Sequence, residues 1–176
     1  MTRRNLLVLT FALAAAWIAV DQLTKLWAET ALVDQPRIPV LGGWFGLVLV
    51  HNPGAAFGLG TGFVWILTVI AGVAVVGLVV LALRVRTTLW ALAIGSMLGG
   101  AISHFFDRLL RGDGLGNGKI VDFLDYGGFF VGNVADIALV GAAIGAVLLS
   151  MFGVPFSEPE RPAPEPSREP RSAPKP

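Results

Sequence analysis

The sequence predicts an all-α integral membrane protein: four transmembrane helices with a small extracytoplasmic β element between helices 1 and 2. Three observations carry that prediction. Apolar residues make up 55% and charged residues 14% of 176 positions, with a mean hydropathy of +0.72, too apolar for a soluble domain of this size. Four apolar runs, at about residues 6–27, 63–83, 89–106 and 129–152, approach the roughly 20 residues that a helix needs to cross hydrocarbon. The polar side chains within and beside these runs gather at one end of each.

The first run follows Arg3 and Arg4 and passes through Ala14, Ala15 and Ala16, a start that also fits a cleavable signal peptide. Its continuation through Trp17, Ile18, Ala19 and Val20 to full span length favours a retained helix and an even number of spans. Residues 28–62 are too long for a tight turn. They contain Trp44-Phe45-Gly46-Leu47-Val48-Leu49-Val50, an aromatic and β-branched run that reads as a strand of a small sheet on the outer membrane surface, or as an interfacial aromatic belt. The second and third runs are joined by a short segment with Arg84 and Arg86, and the fourth follows a glycine-rich loop. Residues 1–156 therefore form one membrane domain. Residues 157–176 hold seven prolines, four acidic and four basic residues, a composition expected to give a disordered cytoplasmic tail.

Arg3, Arg4, Arg84, Arg86 and the basic residues of the tail fall on one side, which the positive-inside rule makes cytoplasmic, so both termini are expected there. Arg37, Arg108, Arg111 and Lys119 on the other side keep the bias modest. The net charge of +1 points to no nucleic-acid partner; membrane lipid is the implied surroundings. With no cysteine, disulfides, thiol nucleophiles and thiolate metal sites are excluded.

Four spans in alternating directions bring particular residues together. Span one ends on the side where Asp21, Thr24 and Lys25 lie; span two begins there, after His51, Asn52, Pro53 and Gly54. Span three ends there with Ser103, His104, Asp107 and Arg108, and span four begins there with Asn133 and Asp136. Reversing the orientation moves all of them together, so the convergence depends only on the number of spans. At 1.5 Å per residue, Asp136 is expected about 10 Å below Phe129. Asp21 and Lys25, four apart with acid before base, share a helical face, as do Asn133 and Asp136, three apart.

An ionisable residue inside a membrane span is functional by default. Two carboxyl groups that share one proton can activate a water to cut a peptide bond, the ionised one taking the water's proton and the protonated one polarising the carbonyl. Asp122 and Asp136 are the candidates. Other readings stand beside this one. Asp122 fits a turn cap, Asp21 and Lys25 a structural ion pair, and Asn52 a cap before Pro53. Asp107 reads as an ordinary pair with Arg108 at the interface, Arg108 as turned to the site or to lipid phosphate, and Asp113 and Asp125 as solvated loop residues. His104, Asp107, Asp122 and Asp136 as cation ligands lack a zinc-type helix motif, and no cofactor is implied. Ser96 lacks the setting of a serine nucleophile. A proton-coupled transporter would need polar groups through both halves of the membrane.

Five segments carry a further resemblance: Asp21-Gln22-Leu23-Thr24-Lys25, Asn52-Pro53-Gly54-Ala55-Ala56-Phe57, Gly99-Gly100-Ala101-Ile102 with Asp107-Arg108, Val121-Asp122-Phe123, and Asn133-Val134-Ala135-Asp136. In this order they resemble the motifs of the lipoprotein signal peptidases, the type II signal peptidases, over most of the chain. The resemblance implies a four-helix aspartic endopeptidase of the bacterial plasma membrane with its site near the extracytoplasmic face. Its implied substrates are diacylglyceryl-modified prolipoproteins cut before the lipidated cysteine, and its implied inhibitor is globomycin. Asp122 and Asp136 match the catalytic pair, and Asp21, Lys25, Asn52, Gly54, Arg108 and Asn133 match residues that shape the site or bind substrate. Two departures stand out. Ser103-His104 replaces the usual Gly-Asn, and Gly132 replaces the usual Phe before Asn133, so that His104 can donate the missing hydrogen bond or introduce pH sensitivity. A non-catalytic paralogue that binds lipoprotein precursors is the alternative these changes leave open.

Overall fold

The computed structural model describes residues 1–54, 62–112 and 114–156. The expectations for Ala55, Ala56, Phe57, Asp113 and the tail 157–176 lie outside the described residues. In chain order the elements are α1 (Arg3–Ala31), β1 (Ile38–Leu41), β2 (Phe45–Asn52), α2 (Val64–Ala82), α3 (Thr88–Leu110), β3 (Ile120–Tyr126), β4 (Phe130–Gly132) and α4 (Val134–Met151). The described residues include four helices long and apolar enough to cross a membrane.

Hydropathy marks where a helix meets hydrocarbon, not where it ends. Accordingly α1 and α3 run past their apolar stretches to Ala31 and Leu110, carrying Lys25, Asp107 and Arg108 as helical residues. The fourth helix is shorter than the apolar run suggests. Residues 130–132 pair as a strand with β3, and the helix starts only at Val134 because Asn133 caps it. Asp136 is thus in the first turn of α4, and a helical rise counted from Phe129 does not apply.

The sheet also draws on more of the chain than expected. It is antiparallel in the order β1-β2-β3-β4, with two strands from between α1 and α2 and two from between α3 and α4. Its two halves join where β2 meets β3, pairing Val50 with Asp122 and Asn52 with Ile120. The turn between β3 and β4 uses Gly127 and Gly128 at φ of 67° and 78°, a left-handed conformation that glycine adopts without strain. On β3 the period of two places Ile120, Asp122, Leu124 and Tyr126 on one face and Val121, Phe123 and Asp125 on the other. Phe123 packs under α1 with Ala28 and Leu32, edge-on to Trp27 at 6.1 Å.

Many of the bundle's large apolar side chains face outward around a small apolar core of Leu6, Ile94 and Leu98. Trp65, Val69, Ile70, Val73, Val76 and Val80 of α2 are exposed, while Thr10, Asp21, Lys25, Thr68, Ser103, Asp107 and Asn133 are buried. That distribution suits a lipid surround, where association depends on close packing and polar contacts and not on the hydrophobic effect. The central helix is α3, which packs on α1, α2 and α4. Small residues permit this approach: a Cβ at Gly99 would lie 2.7 Å from the Ala14 carbonyl of α1, and one at Gly100 2.8 Å from the Ala135 carbonyl of α4. Gly99→Val is therefore expected to force α1 from α3 and lower stability by about 1–3 kcal/mol, measured as thermal unfolding in detergent.

Candidate active site

Asn133 organises the site because its backbone and both ends of its amide are engaged. Its Oδ1 accepts from the Asp136 amide at 3.1 Å while the Asp136 Oδ2 accepts from the Asn133 amide at 2.9 Å, a reciprocal capping arrangement that fixes the Asp136 carboxyl at the start of α4. The Asn133 Nδ2 donates to Asp122 Oδ1 at 2.6 Å and to the Val121 carbonyl at 3.3 Å. One side chain thus touches both β3 and α4. The other Asp122 oxygen, Oδ2, accepts from Asn52 Nδ2 at 3.2 Å, and Asn52 Oδ1 accepts from the Gly54 amide at 2.9 Å. Asn52 is a turn cap and a neighbour of Asp122 at once.

A cavity of about 340 Å³ lies between β3, β4 and helices α2, α3 and α4. Its polar lining is Asn52, His104, Arg108, Asp122 and Asp136; its apolar walls include Leu67, Ile70, Phe130, Leu139 and Val140. Asp122 is 3% exposed. Burial pushes its carboxyl up to about 7, the charge of Asp136 adds to the rise, and the hydrogen bonds from Asn52 and Asn133 act against it. Asp136 is more open, with 26% of its side chain exposed, and its Oδ1 lies 3.4 Å from His104 Nε2. A buried carboxyl that keeps its proton beside a more accessible one is the arrangement that separates acid from base.

Behind the cavity is a second polar layer. Lys25 Nζ lies 2.6 Å from both Asp21 Oδ2 and Asp107 Oδ2, and all three side chains are fully buried. Asp21 also accepts from Ser103 Oγ at 2.6 Å and, through Oδ1, from the Ala135 amide at 2.7 Å. Asp107 accepts through Oδ1 from Gln22 and Arg111, both at 2.9 Å, and through Oδ2 it meets the Val121 amide at 3.5 Å. Each carboxylate held by Lys25 therefore grips the backbone one residue before a candidate catalytic aspartate, Ala135 before Asp136 and Val121 before Asp122.

Two expectations are corrected here. Asp107 does not end a helix at the interface beside Arg108; it turns inward, because Lys25 and Arg111 supply the cations that make its burial tolerable. Asp125 is not a solvated loop residue. It is 2% exposed on β3, ion-paired with Arg37 and accepting from the Gly128 amide at 2.8 Å, and the Arg37 guanidinium holds its carboxyl below the usual range.

Arg108 lines the cavity, but its guanidinium is spent on backbone. It donates to the carbonyls of Asn52, Pro53 and Gly118 at 3.3, 3.0 and 3.2 Å, and to that of Gly54. It thereby clamps the end of β2 against the approach to β3. His104, Asp107, Asp122 and Asp136 do not converge as a ligand set, since Asp107 faces Lys25; among the described residues no three His, Asp or Glu side chains are placed to hold a metal ion. Gln22, Arg111 and Glu29, the last paired with Arg111 at 2.5 Å, escaped the sequence reading as site-supporting groups, and Ser103 was placed at the converging end without a role. The signal was present in part: Gln22 lies between Asp21 and Lys25, and Ser103 and Arg111 each stand four residues from Asp107.

Fold and site together define a polytopic α-helical membrane protein with a carboxylate-bearing cleft at one end of its bundle. The sequence pattern described as signal peptidase (SPase) II matches residues 13–152. The lipoprotein signal peptidase of Bifidobacterium adolescentis is 47% identical over 146 residues, covering 83% of this chain and 78% of that protein. That of Mycobacterium avium is 41% identical over 148 residues, covering 84% and 81%. The chain belongs to the signal peptidase II family. A bacterial membrane enzyme solved by the in meso method at 1.9 Å shares the fold, with a TM-score of 0.70 at 24% identity over 81% of this chain and 92% of that one.

Proposed function

We propose that this protein removes signal peptides from diacylglyceryl-modified prolipoproteins, cutting before the lipidated cysteine with Asp122 and Asp136 as a water-activating pair. The observation that carries the reading is the placement of a buried carboxyl with a raised pKa, Asp122, in one cavity with the more open Asp136. Family membership supports the substrate class.

In this mechanism Asp136 is the base and Asp122 the acid. Asp136 takes a proton from water as the water oxygen attacks the scissile carbonyl carbon, and Asp122 gives its proton to the carbonyl oxygen. The tetrahedral species collapses when Asp122 takes a proton back from one hydroxyl and Asp136 protonates the departing amine nitrogen, breaking the C–N bond. Both carboxyl groups end as they began. Asn52 and Asn133 fix the aim of Asp122, while Arg108, Gly54, Asp21 and Lys25 hold the surrounding backbone.

The site sits near the extracytoplasmic face of the plasma membrane, with both termini cytoplasmic. In support, Arg3 reaches the Leu83 carbonyl at 3.5 Å, placing the start of α1 and the arginines after α2 at the end of the bundle opposite the sheet, where the positive-inside rule puts the cytoplasm. The test is cleavage by the purified protein of one precursor with and without its diacylglyceryl group. Cleavage of the lipidated form alone, blocked by globomycin, is expected; equal cleavage of both forms, or of neither, rejects the reading.

A further inference from the structure

Resting on the Asp122–Asp136 reading, we propose that His104 is a positioning residue whose Nε2–H holds the Asn133 amide and whose ring fixes the orientation of the Asp136 carboxyl. The hydrogen position follows from its neighbours. The Asn133 amide is oriented by a backbone carbonyl, which only accepts, and a backbone amide, which only donates: Nδ2 faces Val121 O at 3.3 Å and Oδ1 faces the Asp136 amide at 3.1 Å. The atom that His104 Nε2 meets at 3.2 Å is therefore the acceptor Asn133 Oδ1, so Nε2 carries a hydrogen in either charge state of the ring. The same nitrogen stands 3.4 Å from Asp136 Oδ1.

Asn133 thus bonds Asp122 on one side and His104 on the other, and the imidazole stands beside the Asp136 carboxyl. Asp136 has Oδ2 held by its cap and Oδ1 facing the imidazole, which leaves its carboxylate one orientation toward the cavity. The other charged groups around the ring are Asp122 on β3, Arg108 four residues along α3, and the Asp21–Lys25 pair on α1 behind Ser103. The cavity wall from α2 is Leu67, Ile70 and Ala71, with no charge.

His104→Gln and His104→Ala test the assignment through the split between kcat and KM and through rescue. The Gln side chain places an N–H near the position of Nε2. For His104→Ala, kcat is expected to fall about ten- to a hundredfold with KM within about threefold. For His104→Gln, most of that kcat should return. Wild-type kcat in both variants overturns the proposal, as does a His104→Gln protein no better than His104→Ala while both stay folded. If Asp122→Asn and Asp136→Asn also remain active, the pair itself is wrong; if those two are inactive, only the role of His104 falls.

Discussion

Asp136→Asn and, separately, Asp122→Asn are expected to lower kcat for precursor cleavage by about 10²–10⁴-fold, leaving both proteins folded. Neither substitution removes much volume, and each removes a proton carrier. Their structural consequences differ. Asp136→Asn can keep its oxygen toward the Asn133 amide and so preserve the cap of α4. At Asp122 both oxygens face side-chain amide donors, from Asn133 and Asn52, so Asn there turns its own NH₂ toward one of them and forfeits that bond. The cost of about 1–3 kcal/mol is offset by removal of an ionisable group from a buried position. Residual cleavage within tenfold of wild type by either purified variant defeats the pair.

The raised pKa of Asp122 gives these variants a pH signature. Folded Asp122 keeps its proton up to about 7, whereas the unfolded carboxyl loses it near pH 4. Between those values the folded state binds more protons, so the contribution of this group to stability is full below about pH 4 and declines as pH rises toward 7. Asp122→Asn should flatten that part of the stability profile, read as melting temperature against pH. In the proposed mechanism Asp122 needs the same proton to act as the acid, so kcat/KM of the wild type should fall above about pH 7. A profile level to pH 9 places the proton elsewhere.

Parity made the convergence of Asp21, Lys25, His104, Arg108, Asn133 and Asp136 legible, because alternating helices return the same end to the same side whatever their exact bounds. Patterning could not show the central strand. β3 is buried on both faces, one bearing Val121 and Phe123 and the other Asp122, so its sequence lacks the apolar and polar alternation that marks a half-exposed strand. The Gly127-Gly128 turn was its available signal. Asp107 and Asp125 were read as surface residues for a related reason: isolated carboxylates near span ends are usually solvated, and only the tertiary partners Lys25 and Arg37 make burial tolerable. The start of α4 was obscured because Phe129, Phe130 and Val131 are apolar enough to extend a hydropathy run, while Phe129 closes a turn and Phe130 and Val131 pair with β3.

Lys25→Met is expected to destabilise the folded protein by about 3–5 kcal/mol, the cost of leaving a buried charge without its partner. Lys25 Nζ is within 2.6 Å of two carboxylates at full burial. Asp107 retains Arg111 as a counter-ion on its other oxygen, whereas among the described residues Asp21 is left with the Ser103 hydroxyl and the Ala135 amide. The loss should therefore be concentrated at Asp21, and adding Asp21→Asn to Lys25→Met should recover part of it. In a double-mutant cycle the two changes should couple by about 0.5–3 kcal/mol, whereas Arg37→Met, whose partner Asp125 lies in the sheet away from this cluster, should be additive. Cleavage should fall as well, because Asp21 and Asp107 grip the amides of Ala135 and Val121 and so set where Asp136 and Asp122 stand. Unfolding of Lys25→Met within about 1 kcal/mol of wild type would mean that the two carboxylates shed their charge or find water when the ammonium is gone, and that the Lys25 cluster does not hold the cleavage site in register.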